Sequence, residues 1–190
     1  VAGIGTFEFS EEKADSIVLG AKLRLGGTFE VNAAVYTTDF KDLQVSTFDG
    51  TLGFNVRNAG KSDIKGLELD ARWQATGNLM FTGSLAYTDF EFKEYIGQCA
   101  FGQPRDAGDG LNCNYAGKTN EFVADWGGAL GASWTQPIAS SLQLHVALDG
   151  YYTSNYFVAP TLDARQKQDS YTKVNGSIGI GDLDGSWDVS

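Results

Sequence analysis

Long apolar runs are what this 190-residue sequence lacks first, since no stretch approaches the roughly 20 residues that a membrane-spanning helix needs. Val1 does not open the charged, then apolar, then small-residue order of a secretory signal peptide, so the chain is expected to be mature or cut from something longer. Positive charge is scarce as well: 14 Lys and Arg stand against 24 Asp and Glu, a net charge of −10. Phosphate binding needs a basic stripe and none is present, which argues against nucleic acid as a partner. Proline occurs only at Pro104, Pro137 and Pro160, all in stretches that other signals mark as turns or loops, so strands are free to run long. One His and two Cys are too few for a zinc set.

What the sequence does have is glycine, 24 residues of it, and 42% apolar side chains that recur with a period of two rather than 3.6. Ile17, Leu19, Ala21, Leu23 and Leu25 alternate with Val18, Gly20, Lys22 and Arg24 before Gly26-Gly27 turns the chain. Phe29, Val31, Ala33 and Val35 follow in the same style. A run from about Ile64 to Ala75 carries Leu67, Leu69, Ala71 and Trp73 on one face and Glu68, Asp70 and Arg72 on the other. After a turn at Thr76-Gly77-Asn78, the next apolar face is Leu79, Phe81, Gly83, Leu85 and Tyr87. Further on come Trp126 to Trp134, a turn at 136–141, Leu142 to Tyr152, a strand from Thr172 to Ile180, and a stub at Ser186 to Ser190. The pattern predicts an all-β, antiparallel segment of about eight to nine long strands.

Three features decide which face meets water. Connections alternate in length: those at 26–27, 76–78, 136–141 and 181–185 are short, whereas those near 46–56, 92–120 and 154–170 are longer and polar. Transmembrane barrels have this asymmetry between their two ends. Second, the expected strands of about 9 to 12 residues exceed the five or six usual in soluble proteins. Third, aromatics bracket the apolar faces. Trp126 and Trp134 lie eight residues apart on one side of one strand, roughly 20 Å of membrane height at a 40° tilt. Trp73 and Tyr152 sit at matching ends of their own strands, and Tyr87 closes a third apolar face, so all five read as membrane-interface aromatics. The Leu and Trp faces then point to lipid, and Glu68, Asp70 and Arg72 point to a watery lumen. A soluble sandwich or small barrel also alternates, with the apolar face inward, and would bury Leu67, Trp73 and Trp134.

Residues 31–92 carry a resemblance. Asn32 to Asp42 has the form N-A-A-x-[FY]-x-T-x-[FY]-K-D, and Asn58 to Leu69 the form N-A-G-x-x-x-x-x-G-[VL]-E-L; both resemble the barrel domain of TonB-dependent outer-membrane receptors. In that family the first motif rises to an external loop and the second descends from it. Trp187 to Ser190 resembles the approach to the final strands, while Val18 departs from the Glu that the family often has before Leu-Gly-x-Lys. The resemblance implies a location in the cell outer membrane and a place within a 22-stranded barrel around an N-terminal plug. It implies partners as well: TonB through the missing N-terminal region, outer-membrane lipid, and a small-molecule ligand such as a ferric siderophore. Plug and closing strands have no counterpart in residues 1–190, so the chain is expected to be roughly the last third of a receptor barrel.

Candidate sites follow from that placement. An envelope protein folds in an oxidising compartment, so Cys99 and Cys113, fourteen positions apart in the longest loop, are expected to form a disulfide rather than two free thiols. Tyr95, Phe101, Arg105, Tyr115 and Tyr156 are the positional candidates for ligand contact, because loops carry specificity while strands carry the frame. Asp106, Asp109 and Asn112 could donate oxygens to Ca²⁺, but their spacing is not that of an EF-hand and ordinary loop solvation is the favoured reading. His145 faces the lumen by parity and is read as a wall residue. Glu68 and Asp70 belong to a polar wall rather than a glycosidase pair. No catalytic residue, metal or cofactor is expected, and the function implied is energised uptake of a scarce large solute. Two alternatives remain: a self-contained small outer-membrane barrel that anchors or adheres, and a soluble β-rich binding module or carbohydrate-active enzyme.

Overall fold

Alternation of this kind gives strands. In chain order, a computed structural model, which describes residues 10–48 and 54–190, has β1 (Lys13–Leu25), β2 (Phe29–Phe48), β3 (Phe54–Gln74), β4 (Leu79–Glu94), β5 (Ile96–Gly97) and β6 (Cys113–Asn114). After them come β7 (Trp126–Pro137), β8 (Leu142–Thr153), β9 (Tyr156–Phe157), β10 (Lys167–Gln168), β11 (Tyr171–Asp182) and β12 (Asp188–Val189), with one 3-10 turn at Ala164–Gln166. Eight of these strands make one antiparallel sheet in the order β1-β2-β3-β4-β7-β8-β11-β12, so each main strand pairs with its neighbour in sequence. The pairs β5–β6 and β9–β10 are small hairpins inside the two long connections. Among the described residues β1 and β12 do not pair, and the sheet is open.

The register aligns the apolar faces into rows. One row runs Val31, Ala71, Gly83, Leu130, Gly150 and Val174, and the next runs Phe29, Trp73, Phe81, Ala132, Leu148 and Gly176. On the opposite face Glu30 meets Arg72, Asn32 meets Asp70, and Asn175 donates to Asp149 at 2.8 Å. The outward apolar side chains lie open: Ile17 is 74% exposed, Leu19 73% and Leu130 75%. Buried hydrophobics among the described residues are confined to Phe90, Phe92, Tyr95, Cys113 and Tyr115, at the end of the sheet that carries the long loops. An apolar face of this extent left open calls for an apolar cover.

Strand length is where the sheet departs most from the sequence expectation. β2 has 20 residues, β3 21 and β4 16, well beyond 9 to 12. Thus β2 and β3 take in residues 46–48 and 54–56 of the connection expected near 46–56, and residues 49–53 lie outside the described residues. The physical reason shows in the outward rows above Leu19, Val35, Leu67 and Tyr87. There the face turns charged: Asp15, Asp39, Asp63 and Glu91 are direct register partners on four adjacent strands, and Lys13, Lys41 and Lys61 form the row beyond. These strands continue past any apolar layer, and ion pairs such as Lys41–Asp15 (3.3 Å) and Lys93–Glu91 (3.0 Å) link the rows.

Turns at the opposite end are short because their chemistry allows it. Gly26 and Gly27 both take positive φ (58° and 72°), which reverses β1 into β2 at no side-chain cost. At the next turn Thr76 Oγ1 accepts from the amides of Asn78 (3.2 Å) and Leu79 (3.1 Å).

Candidate ligand-binding site at the loop end

Loop residues reach this end of the sheet through a small aromatic core. Phe90 and Phe92 point to the inner face of β4, and the chain then folds back through β5 and β6, where Gly97 pairs with Cys113. Rings follow one another from Phe90 to Phe92 (4.8 Å between centroids), to Tyr95 (4.6 Å) and to Tyr115 (5.5 Å). Cys99 and Cys113 are joined by the expected disulfide, which closes this loop beside the rings. Leu43, Val45, Ile64, Val123 and Leu162 pack around the cluster.

The five candidate contact residues therefore divide. Tyr95 (7% exposed) and Tyr115 (0%) are the core of the loop, which corrects their placement as ligand-facing groups. Burial pushes the Tyr115 hydroxyl up to about 12, with Tyr95 and Asp106 adding to the shift. Sequence position showed that these tyrosines belong to the loop but not that a fourteen-residue disulfide bridge would draw them beneath it. Phe101, at 92% exposed, does stand in solvent. It borders a cleft formed by Gln98 to Arg105 together with Leu111. Arg105 is exposed on the rim, with one guanidinium nitrogen donating to Gly110 O at 3.2 Å. Tyr156 is half-buried and lies 6.4 Å from the Phe122 ring.

Two exposed apolar residues were not singled out in the sequence. Leu111 (67% exposed) and Phe122 (66%) stand at the same end as Phe101. Phe122 holds a positive φ of 58°, uncommon for an aromatic residue, while its amide donates to Phe157 O at 2.7 Å. Nothing in the local sequence around Phe122 distinguishes it from any other loop aromatic.

Asp109 illustrates how the acidic loop is satisfied. Its carboxylate accepts from the amides of Leu111 and Asn112 and from Asn112 Nδ2, each at 2.8 Å, and the Asn112 side chain is the foremost of the bonds that hold it down at about 2. Asp106 Oδ1 accepts from the Asn114 amide at 2.7 Å. These carboxylates cap turns, and no cluster of three or more His, Cys, Asp or Glu suited to a metal occurs among the described residues. His145 lies on the inner wall, with Nε2 3.2 Å from Asp188 Oδ2 and its ring resting on Gly179, where a Cβ would collide with the imidazole.

The five aromatics expected at the membrane interface form two rows at different heights. Toward the loops, Tyr87 pairs with Trp126, with rings 4.7 Å apart, and Tyr152 pairs with Gly128 on the adjoining strand. Toward the short turns, Trp73 stacks on Phe81 at 5.6 Å and Trp134 pairs with Leu79. Trp73 and Tyr152 thus belong to opposite rows, because β3 descends where β8 ascends, and the expectation of matching ends is corrected. What the loop end offers to a visitor is rings, amides and the exposed guanidinium groups of Arg105 and Arg165, a surface suited to holding a solute.

The sequence matches the model of the family described as TonB dependent receptor-like, beta-barrel, over residues 2–190. No curated protein matches it. Among solved structures it is similar to the ferric yersiniabactin uptake receptor FyuA from Yersinia pestis, at 19% identity and a TM-score of 0.63, covering 88% of this chain and 22% of that one. It is also similar to the siderophore receptor PiuA from Acinetobacter baumannii, at 16% identity and a TM-score of 0.63, covering 91% and 22%. The copper transporter OprC shares 16% identity at a TM-score of 0.54, covering 89% and 22%. At such identities the likeness is one of fold, and the chain spans about a fifth of the length of these structures. With a match that runs from residue 2 to residue 190 and a sheet whose outward face is apolar between two aromatic rows, the chain belongs to the TonB-dependent receptor-like β-barrel family.

Proposed function

We propose that residues 1–190 form a sector of the wall of an outer-membrane receptor that takes up a scarce, large solute, with a ferric siderophore as the leading ligand class and TonB as the source of energy. The observation that carries this reading is the two-sided sheet. Its outward rows are apolar between Tyr87–Trp126 and Trp73–Trp134, its inner wall is polar, and a compact loop assembly stands at one end only. The open edges at β1 and β12 fit a sector of a larger closed barrel, such as one of 22 strands around a plug, because backbone groups in lipid must all be paired. In this reading the loops capture the solute and the barrel supplies a rigid, wet wall without chemistry, while a plug moved through TonB opens the path.

The test uses the full-length protein in its native outer membrane. Uptake of radioiron carried by a panel of catecholate, hydroxamate and mixed siderophores should include at least one whose transport is lost both when the gene is deleted and when TonB is inactivated. Uptake unaffected by either change across the whole panel would remove the iron reading, and radiocopper run in parallel would show whether a bare metal is the cargo. Receptor function without any TonB dependence would favour the anchoring or adhesive barrel instead.

A further inference from the structure

The two long connections, residues 95–125 and 154–170, are separated by two full strands, yet they are tied to each other at three points. Tyr115 reaches across from the first, its hydroxyl lying 2.6 Å from Gln98 O within its own loop and 3.2 Å from Thr161 O in the second. Arg165 Nη2 donates to Phe101 O at 3.2 Å, and Asp163 grips the same guanidinium from the other side. The Phe122 amide donates to Phe157 O at 2.7 Å. Leu162, next to Thr161, packs into the aromatic core that holds Tyr115.

We infer that Tyr115 is a positioning residue that couples the two external loops, making them one platform that moves as a single body. The phenol, 0% exposed, has a single proton, shared between Gln98 O as the closer acceptor and Thr161 O as the longer arm that crosses to the second loop, and a buried carbonyl that loses its donor must find another or move. Disulfide closure at Cys99–Cys113 fixes the first loop, and the hydroxyl then carries that order to a second loop that has no covalent tie of its own among the described residues. Arg165 makes a second, solvent-exposed tie, whereas the Tyr115 hydroxyl is shielded from competing water. A solute touching Phe101 or Phe122 would, on the proposed ligand-binding role of this end, be felt along 154–170 without touching it.

This inference rests on the loop end being the face that meets ligand, but its test needs no ligand, so its failure and the failure of the uptake reading are distinguishable. Hydrogen exchange is measured on the full-length protein in lipid, for wild type and for Tyr115→Phe, which keeps the ring and removes only the hydroxyl. The reporters are the amides of Val158, Leu162 and Gln166, which bond Gln166 O (3.0 Å), Ala159 O (3.0 Å) and Asp163 O (2.8 Å) within the second loop. Loss of the coupling bond should speed their exchange about two- to tenfold while amides of β7 and β8 stay unchanged. Coupling is reciprocal, so Leu162→Ala should speed exchange at the Tyr115 amide, which bonds Tyr95 O at 2.8 Å, and this arm serves if Tyr115→Phe assembles poorly. Faster exchange confined in each variant to the mutated loop would overturn the inference.

Discussion

Leu130 sits midway between Trp126 and Trp134, and it is the most informative position at which to place a charge. The side chain is 75% exposed and faces outward between Gly83 on β4 and Gly150 on β8, so replacing it removes little protein packing. In water, Leu130→Arg would therefore change stability by a few tenths of a kcal/mol at most. At the middle of a bilayer the same change costs about 2–4 kcal/mol, falling to about 0–1 near the interfaces. That is roughly a 30- to 700-fold loss in the folding equilibrium at Leu130, against a small one for Trp126→Arg in the row toward the loops. Ala129→Arg is the control, since Ala129 lies on the inner wall between Ser84 and Tyr151 and its charge would stay in water. The assay is urea titration of the full-length protein into liposomes, followed by tryptophan fluorescence. Equal costs at 129 and 130, or no cost at either, would refute the assignment of the outward face to lipid.

Other consequences can be measured separately. Reducing the Cys99–Cys113 bridge, a loop of 14-residue separation, should remove roughly 3 kcal/mol of local stability from residues 95–115; limited proteolysis before and after reduction reads this out, and unchanged cleavage there would contradict it. Asp39 lies between Asp15 and Asp63 in the carboxylate row with no cation paired to it among the described residues, so Asp39→Asn should stabilise by about 0.2–1 kcal/mol, seen as a higher urea midpoint. The carboxyl of Asp109 is held at about 2, below its ordinary value of 3.8, so the stability it lends the 106–112 turn is complete above pH 4 and is lost as pH falls toward 2. The protection factors of the Leu111 and Asn112 amides, with the intrinsic pH dependence of exchange divided out, should fall across that window in wild type and stay constant in Asp109→Asn.

Most of the sheet was legible in the sequence because a strand's two faces are read from parity alone. Leu67, Leu69, Ala71 and Trp73 do share a face, and register carries it without a break to Val174 four strands on. Parity misleads where the outward face turns polar. From Thr37 to Lys41 and from Lys61 to Lys65 the outward residues are charged or hydroxylated, so the alternation that marks a strand fades although the hydrogen-bond ladder continues. Height in the membrane also needs strand direction, and that is why Trp73 and Tyr152 looked alike and lie in opposite rows. The loop end was legible least. Tyr95 and Tyr115 are buried because a disulfide, two short hairpins and Leu162 from a distant loop converge on them, and none of those long-range contacts leaves a local pattern.

Depth-resolved quenching tests the lipid-facing wall most directly. Full-length protein retaining one of Trp73, Trp126 or Trp134 at a time, with the others replaced by Phe, would be reconstituted in liposomes containing lipids brominated at defined acyl-chain depths. A lipid-facing wall requires strong quenching of each by bromines near the headgroups and weak quenching by bromines at the bilayer centre, with Trp126 on the opposite side from Trp73 and Trp134. Tryptophans quenched by aqueous iodide and untouched by any brominated lipid would mean that this face never meets lipid, and the receptor wall proposed here would fall with it.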